Sequence, residues 1–142
     1  MATDMSDRER RAFLMTGTRT AKLAVSRRNG APHVVPIWFV LDGDDVVFTT
    51  GESTVKGKAI QRDGRVALCV DDDNPPFSFV SIEGTTTVSR DYDELLKWAT
   101  KLGGRYMGAD QAEQFGRRNA VPEELLVRVT PTKIIAIAGM AD

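Results

Sequence analysis

The sequence predicts a mainly β domain, an antiparallel barrel with a few helices on its outside. Three observations carry that prediction. Short apolar segments bounded by turn residues dominate, with no regular strand–helix–strand alternation of the kind a doubly wound sheet requires. Asn29-Gly30 is a strong hairpin signal, because both residues accept positive φ. A long strand from Phe77 to Ser89 carries Gly84, which marks a bulge or bend, and bent strands suit barrel closure.

Each element has its own local reason. Ser6-Asp7-Arg8-Glu9 is a capping box, in which the serine accepts from the backbone and the glutamate reaches back. Phe13 and Leu14 make the helix behind it amphipathic, and Gly17 ends it. From Thr20 to Arg27 the period changes to two, with Ala21, Leu23 and Val25 on one face. The return strand, His33 to Leu41, is apolar on both faces and so needs cover on both. Asp42-Gly43-Asp44 turns the chain into a short strand, Val46 to Thr50. Ser53 is the expected N-cap of a helix from Thr54 to Arg62, which Arg62-Asp63-Gly64-Arg65 breaks ahead of a fourth strand, Val66 to Val70. The acidic loop Asp71-Asp72-Asp73-Asn74-Pro75-Pro76 leads into the long strand. Asp91 and Glu94 then start a helix carrying Leu95, Leu96 and Trp98, with Gly103-Gly104 as its expected end. A second helical stretch spans Gln111 to Arg118. Two strands, Glu124 to Thr130 and Lys133 to Ala138, close the chain around Pro131.

At 142 residues the chain is expected to form one domain, 1–142, burying roughly two-thirds of its unfolded surface. A hydrophobic share of 42% with 27% charged residues excludes disorder, collagen-like repeats and a coiled coil. A net charge of −1 gives no reason to expect nucleic acid or an anionic membrane as a partner. The N-terminus, MATDMSDRERRAFL, shows no apolar signal core, and no run is long and apolar enough to span a bilayer. Cys69 is the only cysteine, which excludes an internal disulfide or a cysteine-based zinc site and suits a reducing compartment. The expectation is a cytoplasmic protein.

No catalytic motif is present: no phosphate-binding glycine loop, no dinucleotide fingerprint, no HExxH and no serine elbow. No catalytic residue is assigned, and no metal site is expected. His33 follows Pro32 in a strand without a partner motif and is read as structural. Cys69, in VALCV, is read as a small core residue.

Two segments are informative. In the first, Thr49 and Thr50 end a strand, Ser53 and Thr54 open a helix, and Lys56 and Lys58 follow in or near its first turn. Free N–H groups, hydroxyls and two ammonium groups there make a phosphate cradle. A capped helix with solvated lysines accounts for the same residues. In the second, Val34-Val35-Pro36-Ile37-Trp38, a mid-strand proline needs an edge or a bulge. Such an opening suits a flat aromatic ligand, while Trp38 and Phe39 equally suit a dimer interface. A ligand held between subunits satisfies both.

Taken in order, these stretches resemble the flavin and deazaflavin split β-barrels of the pyridoxamine 5'-phosphate oxidase-like superfamily. The resemblance runs through Asn29-Gly30-Ala31-Pro32-His33-Val34-Val35-Pro36-Ile37 and Val47-Phe48-Thr49-Thr50. It continues from Lys56-Gly57-Lys58 to Val66-Ala67-Leu68, through Ile82-Glu83-Gly84-Thr85, and into Arg105-Tyr106-Met107-Gly108. It covers nearly the whole chain and is greatest for the short branch that uses coenzyme F420, a deazaflavin. It implies an FMN-binding-like split antiparallel β-barrel that forms a homodimer with two composite cofactor sites at the subunit interface. Lys56 would bind the cofactor phosphate, supported by Ser53, Thr54 and Lys58. Many relatives carry an arginine where this chain has Thr54. Val35, Pro36, Ile37 and Trp38 would lie along the tricyclic ring, with Thr49 and Thr50 near its polar edge. Phe77 and Phe79 of the second copy would close the other side, and Arg105 would reach the acidic tail.

The reaction this resemblance implies is an F420-dependent oxidoreduction. Hydride would pass from C5 of the reduced deazaflavin to an electrophilic carbon while the protein supplies orientation and a dry pocket, and the apolar surroundings of Trp38 and Phe77 point to a flat, conjugated small-molecule acceptor such as an enone, a quinone or a tetrapyrrole. The proton comes from solvent or from a hydroxyl such as Tyr106. The alternatives are an FMN-dependent oxidase or reductase of the same superfamily, since FMN also ends in a phosphate, and a non-catalytic F420- or flavin-binding protein.

Overall fold

The computed structural model describes residues 1–142 and holds eight strands and four α-helices. The chain opens with β1 (Thr3–Asp4) and α1 (Asp7–Leu14). Ser6 caps α1 as expected: its Oγ accepts from the Glu9 N–H, and the Glu9 carboxylate accepts from the Ser6 N–H at 3.0 Å. Next comes β2 (Ala21–Ser26), burying Ala21, Leu23 and Val25. The hairpin into β3 (Pro32–Ile37) is wider than a two-residue turn, closing with the Arg27 N–H on the Ala31 carbonyl. Within it only Gly30 takes positive φ, and the Asn29 side chain instead accepts from the Ala31 N–H.

The expected strand from His33 to Leu41 is interrupted. The chain leaves the sheet at Trp38-Phe39 and re-enters as β4 (Val40–Asp42), which turns through Gly43 into β5 (Asp45–Gly51). Thr54, not Ser53, caps α2 (Val55–Arg62), its Oγ1 accepting from the Gly57 N–H at 3.0 Å. β6 (Arg65–Asp71) and β7 (Phe79–Ser89) follow, then α3 (Tyr92–Met107), α4 (Ala112–Asn119) and β8 (Glu124–Ala138). α3 runs straight through Gly103-Gly104 and stops at Gly108, whose φ is 101°. The cause is tertiary: a Cβ on Gly103 would stand 2.6 Å from the Phe115 Cβ, and one on Gly116 would overlap Thr100. These glycines let the Phe115 and Thr100 side chains, each from the facing helix, press against the backbone of α3 and α4 respectively. The two closing strands expected around Pro131 are one strand, because a register shift between Glu83 and Gly84 accommodates the proline opposite Gly84.

Every ladder is antiparallel, in the order β3-β2-β6-β7-β8-β5-β4, with β1 on the far half of β8. The edge strands β3 and β4 are joined only through Trp38 and Phe39, so their ends lie together and the sheet must curl. No ladder joins them. The sheet is therefore open along this seam, and the expected closure of the barrel is not found. Pro36 lies on the edge strand β3, where a missing N–H is tolerated.

Strand alternation sends Leu23, Phe48, Ile82 and Val127 inside, and Leu14 and Ile60 join them from α1 and α2. On the outside of β4, β5 and β8, Val40, Val47 and Leu126 pack under Leu95, Trp98 and Leu102 of α3. The outer face over β2, β6, β7 and the far half of β8 lies outside that cluster. One row across it reads Lys22, Cys69, Ser81 and Ile135, and a neighbouring row carries Phe79 and Ile137. Cys69 is thus half-buried on the outer face, not in the core, and burial raises its thiol pKa. No helix is long and apolar enough to cross a membrane.

Candidate functional site

Beside the seam lies a groove of about 230 Å³. Pro36 and Ile37 of β3 and Trp38 of the crossover enter it, with Leu102 and Gly103 of α3. Thr49 of β5, Lys56 of α2 and Asn119 of α4 make it polar.

The crossover is held rigidly from α3. Phe39 is fully buried, and its N–H donates to the Tyr106 hydroxyl at 3.1 Å, which in turn donates to the Arg19 carbonyl at 2.7 Å. Arg105 Nη1 donates to the Phe39 carbonyl at 2.6 Å, Nη2 to the Leu14 carbonyl at 2.7 Å and Nε to the Gly17 carbonyl at 3.1 Å. Trp38 stacks on Tyr106, with ring centroids 4.8 Å apart and planes 5° from parallel, and Phe115 lies 6.0 Å away. One face of the indole is thereby occupied, and 38% of the residue remains exposed beside the groove.

Lys56 is placed by the start of α2. Thr50 Oγ1 meets Thr54 Oγ1 at 3.0 Å, which ties the helix cap to the end of β5. Gly57 backs onto the Gly51 carbonyl so closely that a Cβ would overlap it. The lysine that precedes Gly57 is half-buried and joins no ion pair, and the first N–H groups of the helix lie outside its internal ladder. Glu124, opposite Gly51 in the ladder, is half-buried too. Burial raises its pKa, Lys56 draws it down, and Glu123 adds to the rise.

The groove brings together Pro36, Ile37, Trp38, Thr49 and Lys56 of the residues singled out in the sequence. The others stand elsewhere. Val35 and Thr50 each alternate to the opposite face from their neighbours: Val35 packs against the core, and Thr50 is 3% exposed. Ser53 is exposed and outside the lining, and the Thr54 hydroxyl is spent on the cap. Lys58 is turned roughly 200° around the helix from Lys56 and lines a different hollow with Arg28 and Arg62. Phe77 and Phe79 border a further hollow with Cys69 and Met140. Arg105 is committed to carbonyls and to the Phe39 ring, 4.6 Å from its guanidinium. Sequence reasoning missed Leu102, Gly103 and Asn119. Asn119 carries no motif, and in the sequence Gly103 reads as a helix end.

A comparison with curated proteins gives no match. Among solved structures the chain is similar to a conserved hypothetical protein from Mycobacterium tuberculosis, at 25% identity and a TM-score of 0.81 over 92% of this chain and 82% of that one. It is similar to an F420 reductase at 26% identity and a TM-score of 0.67, over 87% and 94% of the two chains. An FAD-binding protein from Mesorhizobium loti shares the fold, at 16% identity and a TM-score of 0.72 over 96% and 97%. The family described as pyridoxamine 5'-phosphate oxidase matches residues 6–138, from the cap of α1 to the end of β8, and this chain therefore belongs to the pyridoxamine 5'-phosphate oxidase family.

Proposed function

We propose that the groove holds the ring and phosphate of coenzyme F420 and that the chain is an F420-dependent reductase. The observation that carries this reading is the meeting, in one groove, of Pro36, Ile37 and Trp38 with Lys56, a half-buried ammonium that joins no direct ion pair. A cofactor with a flat ring and an anionic group fits these donors. The ammonium and the free N–H groups of α2 answer the phosphate, and the apolar residues answer the ring. The likeness to an F420 reductase at 26% identity favours a deazaflavin as that ring.

The chemistry such a cofactor supplies when bound is hydride donation from C5 to an electrophilic carbon of a conjugated acceptor such as an enone, a quinone or a tetrapyrrole. The residues of the chain bind, orient and exclude water. Lys56 holds the phosphate, and Trp38, immobilised on Tyr106, sets the plane of the apolar wall. The Thr49 hydroxyl and the Asn119 amide offer hydrogen bonds to a polar ring edge. Tyr106 already spends its hydroxyl on the crossover, and burial raises its pKa, so the proton comes from solvent.

In this reading the site is composite. A groove of about 230 Å³ falls short of the ~300–1,000 Å³ typical of pockets that enclose a drug-sized ligand. A second copy of the chain supplies the missing cover, giving a homodimer in which Phe77 and Phe79 of each copy close the groove of the other.

The test is a titration with F420 and with FMN, followed by cofactor fluorescence. The wild-type chain is expected to prefer F420, and Lys56→Ala to weaken binding by about 1–3 kcal/mol. Preference for FMN would move the chain to the flavin branch, and binding of neither would overturn the reading. An unchanged affinity in the variant would remove Lys56 from the site. With F420 bound, an acceptor screen is expected to show turnover of enones, quinones or tetrapyrroles. Tight binding without any turnover would make the chain a carrier.

A further inference from the structure

Lys58, a candidate phosphate ligand by sequence, takes no part in the groove and stands among other cations. It lines a surface hollow of about 560 Å³ with Arg28 and Arg62. That hollow adjoins another of about 740 Å³, which contains Arg28 and Arg62 again together with Arg27 and Arg65. Five cations thus follow one another along the β2–β3 hairpin, the outer side of α2 and the start of β6. Asp63 is the only carboxylate in either lining, and it is gripped by Arg65 at 2.8 and 3.1 Å, which holds its pKa down to about 2.

The chain as a whole carries a net charge of −1, so this concentration of positive charge is local. The guanidinium groups are also partly fixed. Arg62 donates to the Ser26 carbonyl at 2.8 Å, and Arg27 donates to the Pro32 carbonyl at 3.3 Å while its Nη2 meets His33 Nδ1 at 3.0 Å, so each keeps only part of its fork for a ligand. Arg28 and Lys58 are exposed and join no ion pair.

We propose that this strip is a docking surface for an acidic segment of a partner protein, separate from the groove. Its extent calls for several anionic groups in a row: two joined hollows that share Arg28 and Arg62 exceed what a single phosphate fills. Guanidinium forks pair bidentately with carboxylates, and alternate side chains of an extended peptide recur at a spacing that such a row can meet. Neither lining contains an apolar or aromatic side chain, so a single-stranded nucleic acid gains no stacking there and a lipid tail no burial.

The test is calorimetry on the full-length chain with an acetylated, amidated hexaglutamate peptide at low ionic strength. Binding is expected, weakening as salt is added. The double variant Arg28→Glu with Lys58→Glu should lose about tenfold or more in affinity, because like charges then face the ligand. Arg28→Lys should keep binding, and Lys56→Ala should leave it unchanged. An unaltered melting temperature in the double variant shows that it still folds. The proposal fails if the wild-type chain gives no binding at low salt, or if the double variant binds as well as wild type. It fails too if Lys56→Ala abolishes binding, which would put the peptide in the groove. Tighter binding of an oligothymidylate of equal charge would replace the acidic segment with nucleic acid. Because Lys56 and Lys58 lie on opposite sides of α2, failure here leaves the groove reading untouched, and the reverse also holds.

Discussion

Glu124 shows what the end of β5 imposes on a single side chain. Burial sets its folded-state pKa above the ordinary carboxylate value, so the native chain holds the Glu124 proton more tightly than the unfolded chain does. The stability contributed by that proton is present below the unfolded value near 4.5 and is lost as pH rises through the folded value. Glu124→Gln removes the charge at nearly constant shape. Its melting temperature should therefore match that of the wild-type chain at acid pH and exceed it at neutral pH. A variant less stable than wild type at neutral pH would mean that attraction to Lys56 outweighs the burial cost. At this scale the sequence was half legible. The residues of the expected phosphate cradle stand out as a cluster because threonines and lysines crowd between Thr49 and Lys58. Proximity along the chain does not tell which way each one points. The strand's period of two separates Thr49 from Thr50, and the helical turn separates Lys56 from Lys58, so only one of each pair reaches the groove.

Among the elements, α3 acts as a strap over the seam. Its last turn holds the crossover through Tyr106 and Arg105, and without it the β3 and β4 edges have only Trp38-Phe39 between them. Tyr106→Phe tests the strap. The aromatic ring remains to stack on Trp38, but the buried Phe39 N–H loses its acceptor. Leaving a buried donor unpaired costs about 1–3 kcal/mol, which urea denaturation should register as a lower midpoint at unchanged slope. A variant as stable as wild type would show that the hydroxyl adds nothing to the seam. The sequence revealed this helix by its Asp91 cap and its Leu95, Leu96 and Trp98 spacing, yet misplaced its end. A Gly-Gly pair is a local stop signal, and here a tertiary demand overrode it: Gly103 must be small because Phe115 of α4 lies against it. The strand boundaries failed for a related reason. The bulge opposite Gly84 absorbs Pro131, and that pairing involves two strands remote in sequence.

For the whole molecule, the apolar return strand is the feature that a single chain does not satisfy. Apolar on both faces, it needs cover on both, and the structure covers one: Ile37 is buried, whereas Val34 is 63% exposed. The uncovered side continues across the sheet through Ala24, Ala67, Glu83 and Lys133 in one row and through Lys22, Cys69, Ser81 and Ile135 in the next. Small side chains in the middle, with Phe79 and Ile137 in a neighbouring row, make a face shallow enough for another sheet face to approach. A stable homodimer buries about 800 Å² on each copy, and in the proposed homodimer this is the face that meets the second copy. Ser81 lies near its centre, between Cys69 and Ile135, so Ser81→Arg places a charge where the copies would meet while leaving the buried core untouched. Light scattering should give twice the chain mass for wild type and the single-chain mass for the variant, with circular dichroism unchanged. If the cofactor site is composite, F420 binding should fall in the same variant although Ser81 is remote from Lys56 in sequence and outside the groove lining. A wild-type chain that runs as a monomer would remove the composite site. A dimeric Ser81→Arg variant would move the interface to another face. A monomeric variant that still binds F420 as wild type does would show that one chain suffices, and the about 230 Å³ groove would then have to close by a movement of its own.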